Sequence, residues 1–427
     1  MIWISSRAGC IKAALLAAPS RLCRRPSCAV LDARWFSRLV QDESKDTSSL
    51  EAMTAGLPVF VGQTETSGRG LYAARFIPAG ENIHTATPLV AHPTLRNLRT
   101  NCYHCLAPLR ADKKSEWIRT HGGNDGGGVA GHFCGQACAS SASSTYHEVE
   151  TAVGDAAAPL VRRCASHSLK FPLAAARLAY AVAQGSVSPT VTDALVKVNF
   201  PPGVAPEDWL EEHAMLRVAL TRGVAMAAVG AARQKNRNDD GSDGGSGNSP
   251  SSSFSLEGLD RDWYVGVLAR MHLNSFRVEI PPSSVGGGQI ETPDGGCGHD
   301  HGDGTASGAC GHDHGHGHAS SSNNSSFAET LEAAMTSAVS GTASGTALYA
   351  APSLLNHSCC PNVEVRWLTD GRMSLTAARV ILPNEPLTIT YVDCDAPVTA
   401  RREKLKFAYG FACTCERCLE ETGEGTK

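Results

Sequence analysis

The stretch that most constrains this chain is Asn356-His357-Ser358-Cys359-Cys360-Pro361-Asn362, followed by Tyr391-Val392-Asp393 and then by Cys413-Thr414-Cys415-Glu416-Arg417-Cys418. A C-x-C-x2-C knot near the end of a chain presents three thiols from one short turn. A structural zinc takes four ligands in a tetrahedron, so three thiols are one short and the fourth must come from elsewhere. Whatever supplies it ties a distant segment to the tail.

The other cysteines support a metal-binding reading. The chain has 16 Cys, seven of them in C-x2-C, C-x3-C and C-x-C-x2-C groups. That clustering points to metal sites in a reducing compartment rather than to a disulfide framework. Formal charge is −4 and the pI about 6.5, so no global basic field recruits nucleic acid. No run of 18 or more apolar residues occurs, which argues against a membrane-spanning helix.

Taken together and in order, the three motifs resemble the catalytic half of a SET domain, and more closely the SET-and-MYND (SMYD-type) protein-lysine methyltransferases. The fold class implied is α+β, mainly β with an α insert. It is a SET-domain β-clip with a pseudo-knot, a small zinc-binding insert, a helical insert and a post-SET zinc knot. The reaction implied is transfer of a methyl group from S-adenosyl-L-methionine (AdoMet) to a lysine of a protein substrate.

The chain divides accordingly. Residues 1–36 carry Arg7, Lys12, Arg21, Arg24, Arg25 and Arg34 against the single acid Asp32, with Ser and Ala between. This pattern predicts a mitochondrial transit peptide. Arg34-Trp35-Phe36-Ser37 resembles a presequence cleavage site. A plastid signal, or an untargeted extension of a nuclear or cytoplasmic protein, is the alternative. Residues 37–57 read as a linker and 58–100 as the first strands of the SET domain. Gly68 and Gly70 permit a tight turn and close approach of a ligand. The resemblance assigns Gly68, Arg69 and Gly70 to the AdoMet site.

Residues 101–150 hold Cys102, Cys105, Cys134 and Cys138, enough for one tetrahedral zinc. They resemble the first and third ligand pairs of a MYND finger. The second pair is replaced by the Gly-rich stretch 122–128, and His147 lacks the Cys that should follow it. The expectation is a half-MYND with one zinc, acting as a structural clip; four unligated thiols in a loop are the alternative. Residues 151–232 read as a helical insert that either shapes the substrate cleft or simply packs, and 233–256 as a disordered Gly/Ser linker. Residues 257–282 return to the SET core, with Asn274 implied by the resemblance as a cofactor contact.

Residues 283–346 form a low-complexity insertion with the near-duplicate Cys297-Gly-His299-Asp-His301 and Cys310-Gly-His312-Asp-His314-Gly-His316-Gly-His318. Imidazoles on a flexible chain bind borderline divalent metals weakly. Adventitious binding, a solvated spacer and a dedicated metal role are all compatible with that composition. Residues 347–394 complete the SET core and 395–427 the post-SET segment.

For the site itself, the resemblance implies Ser353, Leu355, Asn356 and His357 as AdoMet contacts. It implies Tyr391 as the catalytic residue and Tyr409 and Phe411 as aromatics walling the cofactor and the lysine channel. It supplies Cys359 as the fourth ligand beside Cys413, Cys415 and Cys418, making two structural zinc ions in all. Cys360 is expected not to ligate. Free lysine has a pKa of about 10.4, so a narrow apolar channel is needed to present a neutral amine. The sequence ends nine residues after Cys418, short of the helical repeat domain of many SMYD-type proteins, which implies a more open groove. The expected partner is a lysine-bearing, non-histone protein met by a monomer. The rival reading is a catalytically silent SET and zinc scaffold that binds protein partners.

Overall fold

The computed structural model describes residues 2–3, 40–41, 47–64, 68–120, 131–198, 200, 205–239, 254–280 and 344–424. All of these belong to one unit, Met1–Pro281 with Thr342–Lys427. The targeting segment predicted over 1–36 lies outside the described residues apart from Ile2–Trp3. The His-rich insertion over 283–346 lies outside them up to residue 343.

Part of the expected linker is ordered. Helix α1 (Thr47–Thr54) buries Leu50, and the Thr54 hydroxyl donates to the Leu50 carbonyl at 3.1 Å. Strands β1 (Val59–Thr64) and β2 (Gly68–Ala73) pair antiparallel from Val59↔Ala73 to Thr64↔Gly68. Val59, Leu71 and Ala73 face the core, while Phe60 and Tyr72 stack on the outside with ring centroids 5.7 Å apart. A turn with Gly80 at φ +80° leads to β3 (Asn82–Ala86) and β4 (Pro88–Pro93). The strands expected over 58–92 are therefore present, but they serve three different sheets.

The cysteine-bearing insert holds a two-residue ladder, β5 (Ile118–Arg119) with β6 (His132–Phe133). Helix α2 (Gln136–Ala142) follows. A π-helical turn over Ser143–His147 carries the chain into α3 (Glu148–Val153). Next come α4 (Ala158–Ser166), α5 (Phe171–Ala183), α6 (Glu207–Asp239) and α7 (Arg261–Asn274). Helix α6 runs past Ala232 into the stretch read as a linker, because Gln234-Lys235-Asn236-Arg237 has no residue that stops a helix. Helix α7 starts where Asp260 caps it, its carboxylate accepting from the Trp263 N–H at 2.8 Å.

Helix α5 is the axis of the insert: all thirteen of its residues are buried. Its many alanines let neighbours approach closely. Arg177 sits in the middle of this apolar helix, donating to the Ala91 carbonyl and, at 2.9 Å, to that of Tyr103. Its guanidinium lies 4.2 Å from the Tyr103 ring centroid and 4.5 Å from that of Tyr146. The Tyr103 hydroxyl donates to Glu150 at 2.5 Å, so the charge is matched within reach. Arg177→Met is expected to lower the unfolding free energy by about 3 kcal/mol, measured by denaturant titration, since it strands two buried carbonyls and a carboxylate.

The remaining strands close the SET core. Strand β7 (Phe276–Val278) pairs antiparallel with β8 (Gly345–Tyr349), which pairs antiparallel with β4; Ile2–Trp3 lies parallel to β7 at the sheet edge. Strand β9 (Asn356–His357) is followed by β10 (Val363–Trp367) and β11 (Met373–Ala377), whose burial alternates with a period of two. Strand β11 also pairs with β3. A last two-residue strand, β12 (Thr388–Ile389), pairs parallel with β9. Helices α8 (Val398–Tyr409) and α9 (Glu416–Thr422) finish the fold. Among the described residues no helix is long and apolar enough to cross a membrane.

Candidate active site and its two thiol clusters

Two groups of four cysteines converge. Cys102, Cys105, Cys134 and Cys138 form one, Cys359, Cys413, Cys415 and Cys418 the other, each with all sulfurs within 4.8 Å of one another. A tetrahedron with bonds of about 2.3 Å has edges of about 3.8 Å. The sulfurs of Cys105 and Cys134 are 3.8 Å apart and those of Cys134 and Cys138 3.5 Å. In the tail cluster Cys359 lies 4.0 Å from Cys413 and 3.5 Å from Cys418. These separations suit ligands around one ion and are far beyond an S–S bond of about 2.05 Å.

The donors around the sulfurs agree with thiolates. The Cys134 N–H points at the Cys102 sulfur at 3.3 Å, and the Cys415 N–H at the Cys413 sulfur at 3.4 Å. The Arg401 guanidinium donates to the Cys418 sulfur at 3.5 Å. Such donors stabilise negative charge on sulfur and are what a metal thiolate site requires. Both donor sets therefore fit Zn2+. Cys360 is exposed and stands outside the tail cluster.

Local structure explains how the tail is gathered. Gly410 at φ +79° ends α8 and reverses the chain, so Phe411 to Cys415 run back toward β9. Arg401, 1% exposed, donates from α8 to the Ala396 carbonyl at 2.6 Å and to Glu421 on α9 at 2.7 Å. It thereby fixes both helices around the thiols.

The cleft lies beside this cluster. The parallel pairing of β9 with β12 puts Asn356 opposite Thr388 and His357 opposite Ile389. The Asn362 side-chain oxygen Oδ1 accepts from the Thr388 N–H at 2.8 Å, and its Nδ2 donates to the Pro386 carbonyl at 2.9 Å. Asn356 donates to the Arg69 carbonyl at 3.2 Å. A Cβ on Gly70 would come within 2.5 Å of the Asn356 amide nitrogen, so β2 can approach only because position 70 has no side chain. Gly68, the first residue of β2, has φ +64°, which favours glycine.

Tyr391 is held at both ends. Its backbone N–H donates to His357 Nδ1 at 3.0 Å, and its hydroxyl donates to the Leu355 carbonyl. Its ring centroid lies 5.4 Å from that of His357 and 4.8 Å from that of Tyr409. Phe411 closes the group, 6.4 Å from Tyr409 and 6.2 Å from His357, and at 37% exposed it forms the rim. Burial pushes the phenols of Tyr391 and Tyr409 above their ordinary pKa, so both are neutral at physiological pH.

Gly68, Arg69, Gly70, Asn356, Leu355, His357, Tyr391, Tyr409 and Phe411 are thus brought to one place. The Arg69 guanidinium reaches the Ala194 carbonyl at 2.5 Å, so its backbone is the part that meets Asn356. Asn274 stands one step back. Its amide donates to the carbonyls of Val196 and Arg270, both at 2.7 Å, and its backbone carbonyl accepts from the Ser353 hydroxyl at 3.3 Å. What Asn274 can offer a ligand is its amide oxygen. Sequence reasoning passed over Asn362 and Arg401. Asn362 was inside the leading motif and could have been singled out as a buried amide. Arg401, in a helix rich in Lys and Arg, carried no such signal.

The SET-domain family description matches residues 68–392. The histone-lysine N-methyltransferase ATXR4 of Arabidopsis thaliana is 29% identical over 361 residues, 84% of this chain and 86% of that protein. The histone-lysine N-methyltransferase ATXR2 of the same plant is 41% identical over 81 residues, 18% of this chain and 17% of its own length. The N-lysine methyltransferase SMYD2 of Homo sapiens is 33% identical over 84 residues, 19% of each chain. With a match that runs from the glycine turn of β2 to the residue after Tyr391, the chain belongs to the SET-domain family.

Proposed function

We propose that this SET-domain protein is a protein-lysine N-methyltransferase that uses AdoMet, with Tyr391 as its catalytic residue. The observation that carries the reading is the convergence, in one cleft, of the Gly70–Asn356 approach, the doubly held Tyr391 and the aromatics Tyr409 and Phe411. The glycine contact leaves β2 backbone against Asn356, a cradle of polar groups and close main chain that suits a nucleoside and its amino-acid arm. When bound, AdoMet supplies an electrophilic sulfonium methyl group.

The chain's own residues do the rest. Tyr391 commits its hydroxyl hydrogen to Leu355, which leaves its oxygen lone pairs to accept from an incoming amine. A neutral phenol is too weak a base to take a proton from an ammonium, so Tyr391 orients rather than deprotonates. Tyr409 and Phe411 exclude water and penalise the charged form of the lysine. Placement of the two reactants in line then supplies most of the acceleration.

Full-length protein incubated with methyl-labelled AdoMet and protein extracts should label lysine in at least one protein. Calorimetry should show AdoMet binding that Gly70→Ala weakens about tenfold or more, because the added Cβ displaces Asn356. Absence of both binding and labelling would favour a silent scaffold.

The two thiol clusters lead us to assign two structural zinc ions, one of them in a half-MYND of SMYD type. The Arg-rich, acid-poor residues 1–36 lead us to assign mitochondrial import, and with it a non-histone substrate. Import assays on isolated mitochondria with the full chain should show protected, processed protein; a tagged chain found only in nucleus or cytosol would refute this.

A further inference from the structure

His357 bridges two features far apart in sequence. Its Nδ1 lies 3.0 Å from the Tyr391 backbone nitrogen and its Nε2 lies 3.3 Å from the Cys359 sulfur. A backbone N–H can only donate, so Nδ1 must be the nitrogen with the lone pair. The neutral ring then carries its hydrogen on Nε2, where it faces the sulfur. These two contacts fix its tautomer.

We propose that His357 is a positioning residue that joins the Cys359 thiolate of the tail cluster to the backbone of Tyr391, so that one ring both orders the catalytic phenol and holds a metal ligand. The inference rests on the reading of Tyr391 given above. The topology places the bridge at the end of a short ladder. The β9–β12 ladder is two residues long, and Ser358 N–H adds one further bond to the Ile389 carbonyl at 2.9 Å. Tyr391 lies two residues past Ile389, beyond the end of the ladder, where the imidazole takes over from backbone pairing. The Tyr391 hydroxyl is meanwhile held by the Leu355 carbonyl. Both ends of the tyrosine are therefore gripped by residues 355–357, and two positions later Cys359 joins the thiol quartet. An N–H aimed at a metal-bound sulfur orients the ligand and moderates its charge. The ring also touches Phe411, 6.2 Å away between centroids, so movement at the cluster would reach the channel rim through the same side chain.

Two substitutions separate the two jobs. Asn places an oxygen acceptor about where Nδ1 lies but no donor near the sulfur. Gln places an amide N–H about where Nε2 lies but no acceptor for Tyr391. For the full-length protein, zinc transfer to a chromogenic chelator and steady-state methyl transfer are measured side by side. His357→Asn should release zinc from the tail cluster about tenfold faster or more and lose less of kcat than His357→Gln. His357→Gln should keep wild-type zinc release and lose about tenfold in kcat. The zinc at Cys102, Cys105, Cys134 and Cys138 serves as an internal reference, and its release should stay constant in both variants. If the two variants lose zinc and kcat in equal measure, or change neither, the bridge is refuted and His357 only packs. Should the wild type transfer no methyl group to any protein, the methyltransferase reading falls. The split in zinc release between the two variants would still support the bridge, and its absence would still overturn it.

Discussion

Tyr391→Phe is expected to lower kcat for methyl transfer by about 100-fold or more, while the dissociation constant for AdoMet changes by no more than about threefold. The substitution removes one oxygen and keeps the ring. The contacts with His357 and Tyr409, at 5.4 and 4.8 Å between centroids, survive, so the wall of the cleft stays in place. What goes is the acceptor that orients the amine, together with the hydroxyl's bond to the Leu355 carbonyl. An interaction needed only in the transition state appears in kcat and not in ground-state binding. Single-turnover transfer and calorimetric AdoMet binding, measured on the same preparation, separate the two. Equal loss of binding and turnover would mean that the ring, not the hydroxyl, was the functional part.

The same burial fixes the pH dependence. Because desolvation raises the Tyr391 pKa, the phenol stays protonated through the neutral and mildly alkaline range. The rate should climb with pH as the substrate lysine, with a free pKa of about 10.4, becomes neutral. No falling limb from Tyr391 is expected below about pH 10. A bell-shaped profile centred near neutrality would require a different titrating base.

The second large effect is expected at the tail cluster. Cys413→Ala should reduce bound zinc from two ions to one and abolish methyl transfer, whereas Cys360→Ser should leave both unchanged. Structural zinc in small modules contributes about 10 kcal/mol or more to folding, and three thiols cannot hold the ion in a closed tetrahedron. The tail would then lose its tie to Cys359. Tyr409 and Phe411, which precede the knot directly, would lose their place against Tyr391 and His357. Metal analysis, methyl transfer and limited proteolysis within 398–424 give three independent readings. Retained activity with one zinc would show that the aromatics are held by α8 alone.

How far the sequence reached follows from the range of each interaction. Chelation needs thiols two or three residues apart, so the two Cys pairs and the tail knot were visible as local spacing, whereas Cys359 came from the family resemblance. A tight turn needs glycine, so Gly68 and Gly70 stood out. Helix α1 and the end of α6 lie in stretches that the sequence reads as linker, because polar sequence without a packing partner in view reads so, while tertiary contact at Leu50 settles α1.

By itself, then, the sequence picked out the candidate residues that the fold brings together: the thiols, Asn356, His357, Tyr391 and the aromatics of the tail. Only the tertiary structure decided how they act together. The two-residue parallel ladder of β9 and β12, the burial of Arg401 between two helices and the imidazole that reaches Tyr391 from beside Cys359 depend on pairings of residues 17 to 34 positions apart. Local propensity carries no record of such registers, because they are set by which surfaces meet once the chain has folded.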